Sequence, residues 1–257
     1  MTAARGDELG HLRVARDGPV LVVTIDRPAK RNAYDGPTLT ALGTVWAELD
    51  EDPTLRAGVI TGAGDTFCAG ADVAAAAGGG FADPPYPEVA EGLAAKPVVA
   101  AIEGLCLGGG MMIAAGADLR VAGRGAAFGL PEARWNLPAQ WLGALARQVL
   151  PAHALELALL ADERLPAERL EQMGWLNRVV DDGEALEVAL AWGHRLAALA
   201  PRALRHFKAL VRAGTWQPPA EALALGHRHA AELVGMHDTV EGGTAFAERR
   251  PPRFEDR

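Results

Sequence analysis

The sequence predicts an α/β core followed by a wholly helical C-terminal portion. Two observations carry this expectation. Up to Pro138, short Val- and Ile-rich runs bounded by Gly and Pro alternate with longer segments of helical spacing. Beyond it, strand signals nearly vanish apart from residues 177–180, and one helical pattern follows another. The chain has 257 residues, 49% of them hydrophobic and 23% charged. That is enough to bury a large core without disulfides or metal staples.

Each element has its own signal. Val20–Ile25 is an apolar, Val-rich run that Arg27-Pro28 ends. Residues 38–49 place Leu39, Leu42, Val45, Trp46 and Leu49 on one helical stripe. Residues 58–61 form a second short strand, stopped by Gly62 and Gly64. Residues 74–87 are Ala, Gly and Pro with little pattern, the composition of a mobile surface loop. Strands are expected at 97–102 and 118–121, and between them Gly108-Gly109-Gly110 opens an apolar helix that runs through Ala117. Helical patterns then fall at 140–150, 152–161, 166–173, 184–199, 201–211, 219–234 and 239–249. There is no fixed-period repeat and no long linker, so the helical part is expected to pack on the core or on another subunit.

Composition excludes several classes. The net charge is −8, with a pI near 5.4. An acidic chain is a poor partner for nucleic acid, whose backbone rewards clustered Lys and Arg. No long apolar run suggests a membrane span, and the charged N-terminus does not read as a signal peptide. Two cysteines, Cys68 and Cys106, make no disulfide framework, which fits a reducing cytoplasm.

Three segments look chemical. In residues 60–73 a strand runs into a Gly/Ala turn, with a helix expected to start near Asp72. Small residues admit a ligand close to the backbone, and free amides at a helix start hold anions. Taken alone, this is more often a tight strand-to-helix connection. Gly62-x-Gly64 lacks the third glycine of a dinucleotide fingerprint. The second segment is Gly108-Gly109-Gly110 directly after a strand. Three glycines are costly in chain entropy, so exposed amides or close backbone contact must require them. Tight helix packing on the sheet suffices to explain one of the three. The third segment, Pro131-Glu132, sets one carboxylate among Pro, Ala, Trp and Leu. In isolation it reads as a solvated side chain. In an apolar pocket its pKa would rise above the ordinary value of about 4.3, suiting it to move protons near neutrality.

Together these segments resemble the crotonase family, the enoyl-CoA hydratase/isomerase superfamily. The resemblance begins at Ile25-Asp26-Arg27-Pro28-Ala29-Lys30-Arg31-Asn32-Ala33. It passes through Phe67-Cys68-Ala69-Gly70-Ala71-Asp72, Gly108-Gly109-Gly110 and Pro131-Glu132, and closes on residues 246–254, covering nearly the whole chain. It implies a spiral of ββα units over residues 1–195. Residues 196–257 would form a helical region serving oligomerisation, as a homotrimer or a hexamer built as a dimer of trimers, and CoA contacts. It implies a CoA-thioester substrate and no separate cofactor. It assigns an oxyanion hole to two backbone amides, here those of Ala71 and Gly109. Negative charge develops on a thioester oxygen when a neighbouring proton leaves or a nucleophile adds, and preset N–H donors favour that state over the neutral substrate. The resemblance also places Arg31, Ala33, Asp72, Val73 and Ala74 along the CoA path.

The chain departs from the family pattern in two places. Typical hydratases carry two glutamates. One matches Glu132, but the other position is Met112, whose thioether is only a weak acceptor. The one-acid pattern resembles double-bond isomerases, with Glu132 as base and then acid. Hydration with a single acid, or acyl-CoA binding with little turnover, are the alternatives. The glycine-rich helix start after the second acid is replaced by residues 138–143, where Trp141, with Trp135, either shapes the acyl pocket or serves as a core aromatic.

The CoA phosphates need positive charge. Arg202, Arg205, Lys208 and Arg212 share one helical face, and Arg249, Arg250 and Arg253 form a second basic group. Each is a candidate, and a solvated basic face is the blander reading. His227 and His229 stand two apart and point to different sides of a helix, so no metal site is expected. Cys68 lacks a nucleophile signature and reads as a small buried residue. Asp238 and Glu241 read as cap and surface charges.

Overall fold

The computed structural model describes residues 9–74, 92–137 and 139–257, together with the backbone of 2–5. The strands are β1 (Thr2–Arg5), β2 (Leu12–Asp17), β3 (Val20–Ile25), β4 (Ala57–Gly62), β5 (Val98–Ile102), β6 (Leu105–Leu107), β7 (Leu119–Gly123), β8 (Ala127–Gly129), β9 (Leu165–Pro166) and β10 (Arg178–Val180). Seven of them form one sheet in the order β1-β2-β3-β4-β5-β7-β10, with every neighbour from β3 onward parallel. A second sheet pairs β6 with β8 in parallel and β8 with β9 in antiparallel.

The two sheets grow together. After β4, Cys68 bridges Cys106 of β6, which pairs in turn with Phe128 of β8. Each turn of chain therefore gives a strand to the large sheet, then a short extended piece to the second layer, then a helical turn. The helical turns are residues 73–74 after Cys68, α2 (Gly109–Gly116) after β6, and a 3-10 turn (Pro131–Trp135) after β8. This is the expected spiral of ββα units.

The large sheet is apolar on both faces. Along β5, Val98, Ala100 and Ile102 face one core cluster while Val99 and Ala101 face the other, as the period-two geometry of a strand requires. The first cluster includes the stripe Leu39, Leu42, Val45, Trp46 and Leu49 of α1 (Gly36–Glu51). Asp35 caps that helix by accepting from the Thr38 N–H at 3.0 Å. On the opposite face lie Ala185 and Ala189 of α6 (Ala185–Ala197).

The remaining helices are α3 (Leu142–Leu145), α4 (Pro151–Leu159), α5 (Ala167–Gln172), α7 (Pro201–Trp216), α8 (Pro219–Leu233) and α9 (His237–Glu248). Most expected elements occur within a few residues of their predicted ends. The helix expected at 140–150 does not. Only Leu142–Leu145 is helical, flanked by three-residue turn bonds such as Arg147 N–H to Ala144 O and Gln148 N–H to Leu145 O. Trp141, Leu145 and Val149 of this stretch are nonetheless buried, as its helical spacing predicts. Strand β2 was not expected, because Arg13, Arg16 and Asp17 mask its alternation. The Asp17-Gly18-Pro19-Val20 hairpin turn was its available signal. The loop expected at 74–87 lies outside the described residues except for Ala74, which is helical.

The basic residues of α7 are all engaged by carboxylates. Lys208 donates to Asp118 at 2.7 Å and to the carbonyls of Ala94 and Lys96, and Arg212 donates to Asp118 at 3.1 Å. Arg202 and Arg205 hold Asp256. Asp238, expected at the surface, is buried and accepts from the N–H groups of Glu255 and Asp256 at 2.8 Å each. Glu241 likewise accepts from Arg250 and from the Arg253 N–H. Together these charges tie the C-terminal segment down.

Candidate active site

The register of the second layer determines which residues meet. Cys68, Cys106 and Phe128 lie in one paired row, and Ala71, Gly109 and Glu132 follow three or four residues beyond it. All three line one pocket of about 830 Å³, open mouth included, together with Tyr34, Val73 and Met112.

The Ala71 amide is oriented by its neighbour. Tyr34 bridges Ala71 in parallel, its N–H donating to Gly70 O at 3.0 Å and its carbonyl accepting from Asp72 N–H at 2.8 Å. Those bonds use the flanking residues, so Ala71's own N–H points away from Tyr34's backbone. Among the described residues it donates to no backbone carbonyl. Gly109 is the first residue of α2, where helical geometry leaves the N–H without an intrahelical acceptor.

The preceding turn is held by a device the sequence reading missed. Arg31 and Asn32 both adopt left-handed backbone conformations, with φ of 51° and 55°, which Asn tolerates better than most residues. The fully buried Asn32 carboxamide donates to Ala63 O at 2.8 Å and Thr66 O at 2.5 Å and accepts from Arg27 N–H at 3.0 Å. The signal was Asn in the quoted Arg31-Asn32-Ala33 run.

The glycine triplet has separate causes. Gly108 adopts φ +53°, and a β-carbon there would lie 2.5 Å from Glu132 Oε1. At Gly109 a β-carbon would fall inside the Tyr34 phenol, with Cζ 2.6 Å away. Gly110 packs on the Cys68 carbonyl, the tight packing expected of one glycine.

Glu132 follows Pro131 in the 3-10 turn. Its proximity to Gly108 comes from the Gly108 N–H, which donates to Gly129 O at 2.8 Å. Its Oε2 is buried and has no protein partner among the described residues. Burial pushes the carboxyl above the ordinary range, and a hydrogen bond from its own backbone offsets part of that rise. Met112 is buried on the second turn of α2 and lines the same pocket. Trp141 is both a core residue and a pocket wall, while Trp135 lines the pocket's edge and is 59% exposed. Gln140, which the sequence reading did not single out, also lines the pocket.

Of the residues placed on the CoA path, only Val73, besides Ala71, Gly109 and Trp141, is on the pocket wall. The Asp72 carboxylate is held by Arg27 at 3.2 Å, Ala33 is buried, and Arg31 and Ala74 are exposed. Cys68 and Cys106 are buried free thiols, and burial raises Cys68 to about 12. His229 stacks on His206 with ring centroids 4.0 Å apart. Among the described residues no three potential metal ligands gather.

Spiral and pocket together define a crotonase-type enzyme. A family model described as enoyl-CoA hydratase/isomerase matches residues 15–257. An enoyl-CoA hydratase, EchA19, of Mycobacterium tuberculosis is 36% identical over 95% of this chain and 96% of its own length. A carnitinyl-CoA dehydratase of Salmonella heidelberg is 35% identical over 96% of this chain and 98% of its own. The crystal structure of an enoyl-CoA hydratase from Mycobacterium tuberculosis superposes with a TM-score of 0.88 at 33% identity, covering 96% of this chain and all of that one. The chain belongs to the enoyl-CoA hydratase/isomerase family.

Proposed function

We propose that this enzyme moves a proton on an acyl-CoA thioester, with the thioester oxygen held by the Ala71 and Gly109 amides and Glu132 as base and then acid. One observation carries the reading: among the described residues, a single carboxyl, half-buried and with its Oε2 left unpartnered, shares a pocket with two amides that donate to no backbone carbonyl. Double-bond isomerisation is the reaction we assign. Glu132 takes a proton from the carbon beside the thioester of a 3-enoyl-CoA. The electron pair becomes an enolate, and the same carboxyl returns the proton two carbons further on, giving the 2-enoyl-CoA. Met112 supports this assignment, because a thioether cannot activate water. Hydration by the single acid is the second reading, favoured by relatives named as a hydratase and a dehydratase. We place Arg31, Ala33, Asp72, Val73 and Ala74 beside the CoA moiety and Trp141 beside the acyl group. We also propose a cytoplasmic homotrimer or hexamer, a state favoured by apolar side chains on the C-terminal helices such as Val211 and Phe246, which are 73% and 87% exposed.

The test follows absorbance of 2-enoyl- and 3-enoyl-CoA with the wild type, Glu132→Gln and Met112→Glu. Isomerisation lost in Glu132→Gln, with hydration raised in Met112→Glu, supports the assignment. Wild-type hydration faster than isomerisation overturns it in favour of the second reading. Tight binding without turnover, or turnover untouched by Glu132→Gln, refutes the catalytic reading altogether.

A further inference from the structure

We infer that the Tyr34 hydroxyl is a third hydrogen-bond donor to the substrate's thioester oxygen, beside the amides of Ala71 and Gly109; this rests on the acyl-CoA reading above. Tyr34 spans the two amides. Its backbone grips the 70–72 segment through bonds of 3.0 and 2.8 Å. Its phenol reaches across to Gly109, where the hydroxyl is the atom nearest the space a β-carbon would take. Gly109 thus gives up a side chain to let this hydroxyl approach the first amide of α2.

The surroundings favour a donor there. Tyr34 is 4% exposed yet lines the pocket, so its hydroxyl acts where water screens little. The only carboxyl on the described wall is Glu132, which packs against the neighbouring glycine, Gly108. The donor and base side chains therefore lie against two consecutive glycines, Gly109 and Gly108, an arrangement that serves a proton transfer and the oxyanion it creates. The position is also rigid. Two residues before Tyr34, Asn32 anchors the turn to Ala63 and Thr66, and Arg27 donates to Ala33 O at 2.6 Å. A preset donor of this kind costs no reorganisation as charge develops.

Tyr34→Phe keeps the ring over Gly109 and removes only the hydroxyl, and Tyr34→Ala removes both. Two readouts are needed: steady-state turnover, and the infrared carbonyl stretch of a 13C-labelled saturated acyl-CoA bound without reaction. In Tyr34→Phe, kcat should fall roughly 100–1,000-fold with KM nearly unchanged. Its melting temperature should match the wild type, and the bound carbonyl stretch should move back toward its value in water. Wild-type kcat and stretch in Tyr34→Phe, with losses only in Tyr34→Ala, would reduce Tyr34 to a packing role and overturn the inference while leaving the acyl-CoA reading intact. If the wild type binds no acyl-CoA at all, that reading fails and takes the inference with it.

Discussion

Gly108→Ala tests whether the placement of Glu132 matters more than its presence. At φ +53° and ψ −124°, alanine is in a region essentially reserved for glycine, which costs on the order of 1–3 kcal/mol. The new β-carbon would also stand 2.5 Å from Glu132 Oε1 and 3.1 Å from its Cδ. A carbon–oxygen contact needs roughly 3.2 Å or more, so the carboxyl must retreat by about 0.7 Å or swing to another rotamer. The carboxyl ends a flexible side chain, so the clash is relieved by moving it, and stability falls mainly through the backbone strain. Misplacement of a reacting group by about 1 Å costs on the order of 100-fold. The variant should therefore remain folded, with a stability loss of about 1–3 kcal/mol in urea titration, while kcat/KM for enoyl-CoA falls by roughly two decades. A folded Gly108→Ala protein with wild-type kcat/KM would show that the carboxyl at this glycine is not the working base.

Two further outcomes follow from charge and burial. Because burial raises the Glu132 pKa, kcat/KM should climb with pH through a limb above the ordinary carboxylate range of about 4.3. The same shift favours the neutral acid in the folded state. That contribution to stability is complete below the unfolded pKa and fades as pH rises through the folded one. Glu132→Gln should flatten this arm of the stability profile, and an acidic limb at an unshifted pH would contradict the burial. Asp118→Ala should cost about 3–5 kcal/mol in chemical denaturation, since it strips the carboxylate from Lys208 and Arg212, whose side chains are only 10% and 20% exposed. A loss below about 1 kcal/mol would mean that solvent or the Ala94 and Lys96 carbonyls suffice.

Much of the fold was legible because its signals are local. Val20–Ile25, the stripe on α1 and the glycine break before α2 each depend on near neighbours in the chain, and each emerged close to its predicted bounds. The turn at 140–150 was not legible. Its periodicity is helical, but the Gln148 side chain is tied to Ala115 O and Trp175 Nε1, long-range bonds that spacing does not reveal. Nor could spacing reveal that Lys208, Arg212 and Asp238 serve the interior. Their partners lie far away in sequence or in the returning C-terminal segment.

The sequence by itself determined the residue types on which the chemistry depends: the small residues around Ala71, the glycine triplet, the lone Glu132, and Met112 in place of a second acid. Only the tertiary structure decided that these converge. A parallel bridge between Cys68 and Cys106, continued by β6 against β8, sets the three chain turns in register. Convergence depends on that register because residues about 25 to 40 apart meet only through sheet pairing, which no local propensity encodes. Tyr34 shows the same limit most sharply, since its sequence neighbours say nothing of the glycine its hydroxyl faces.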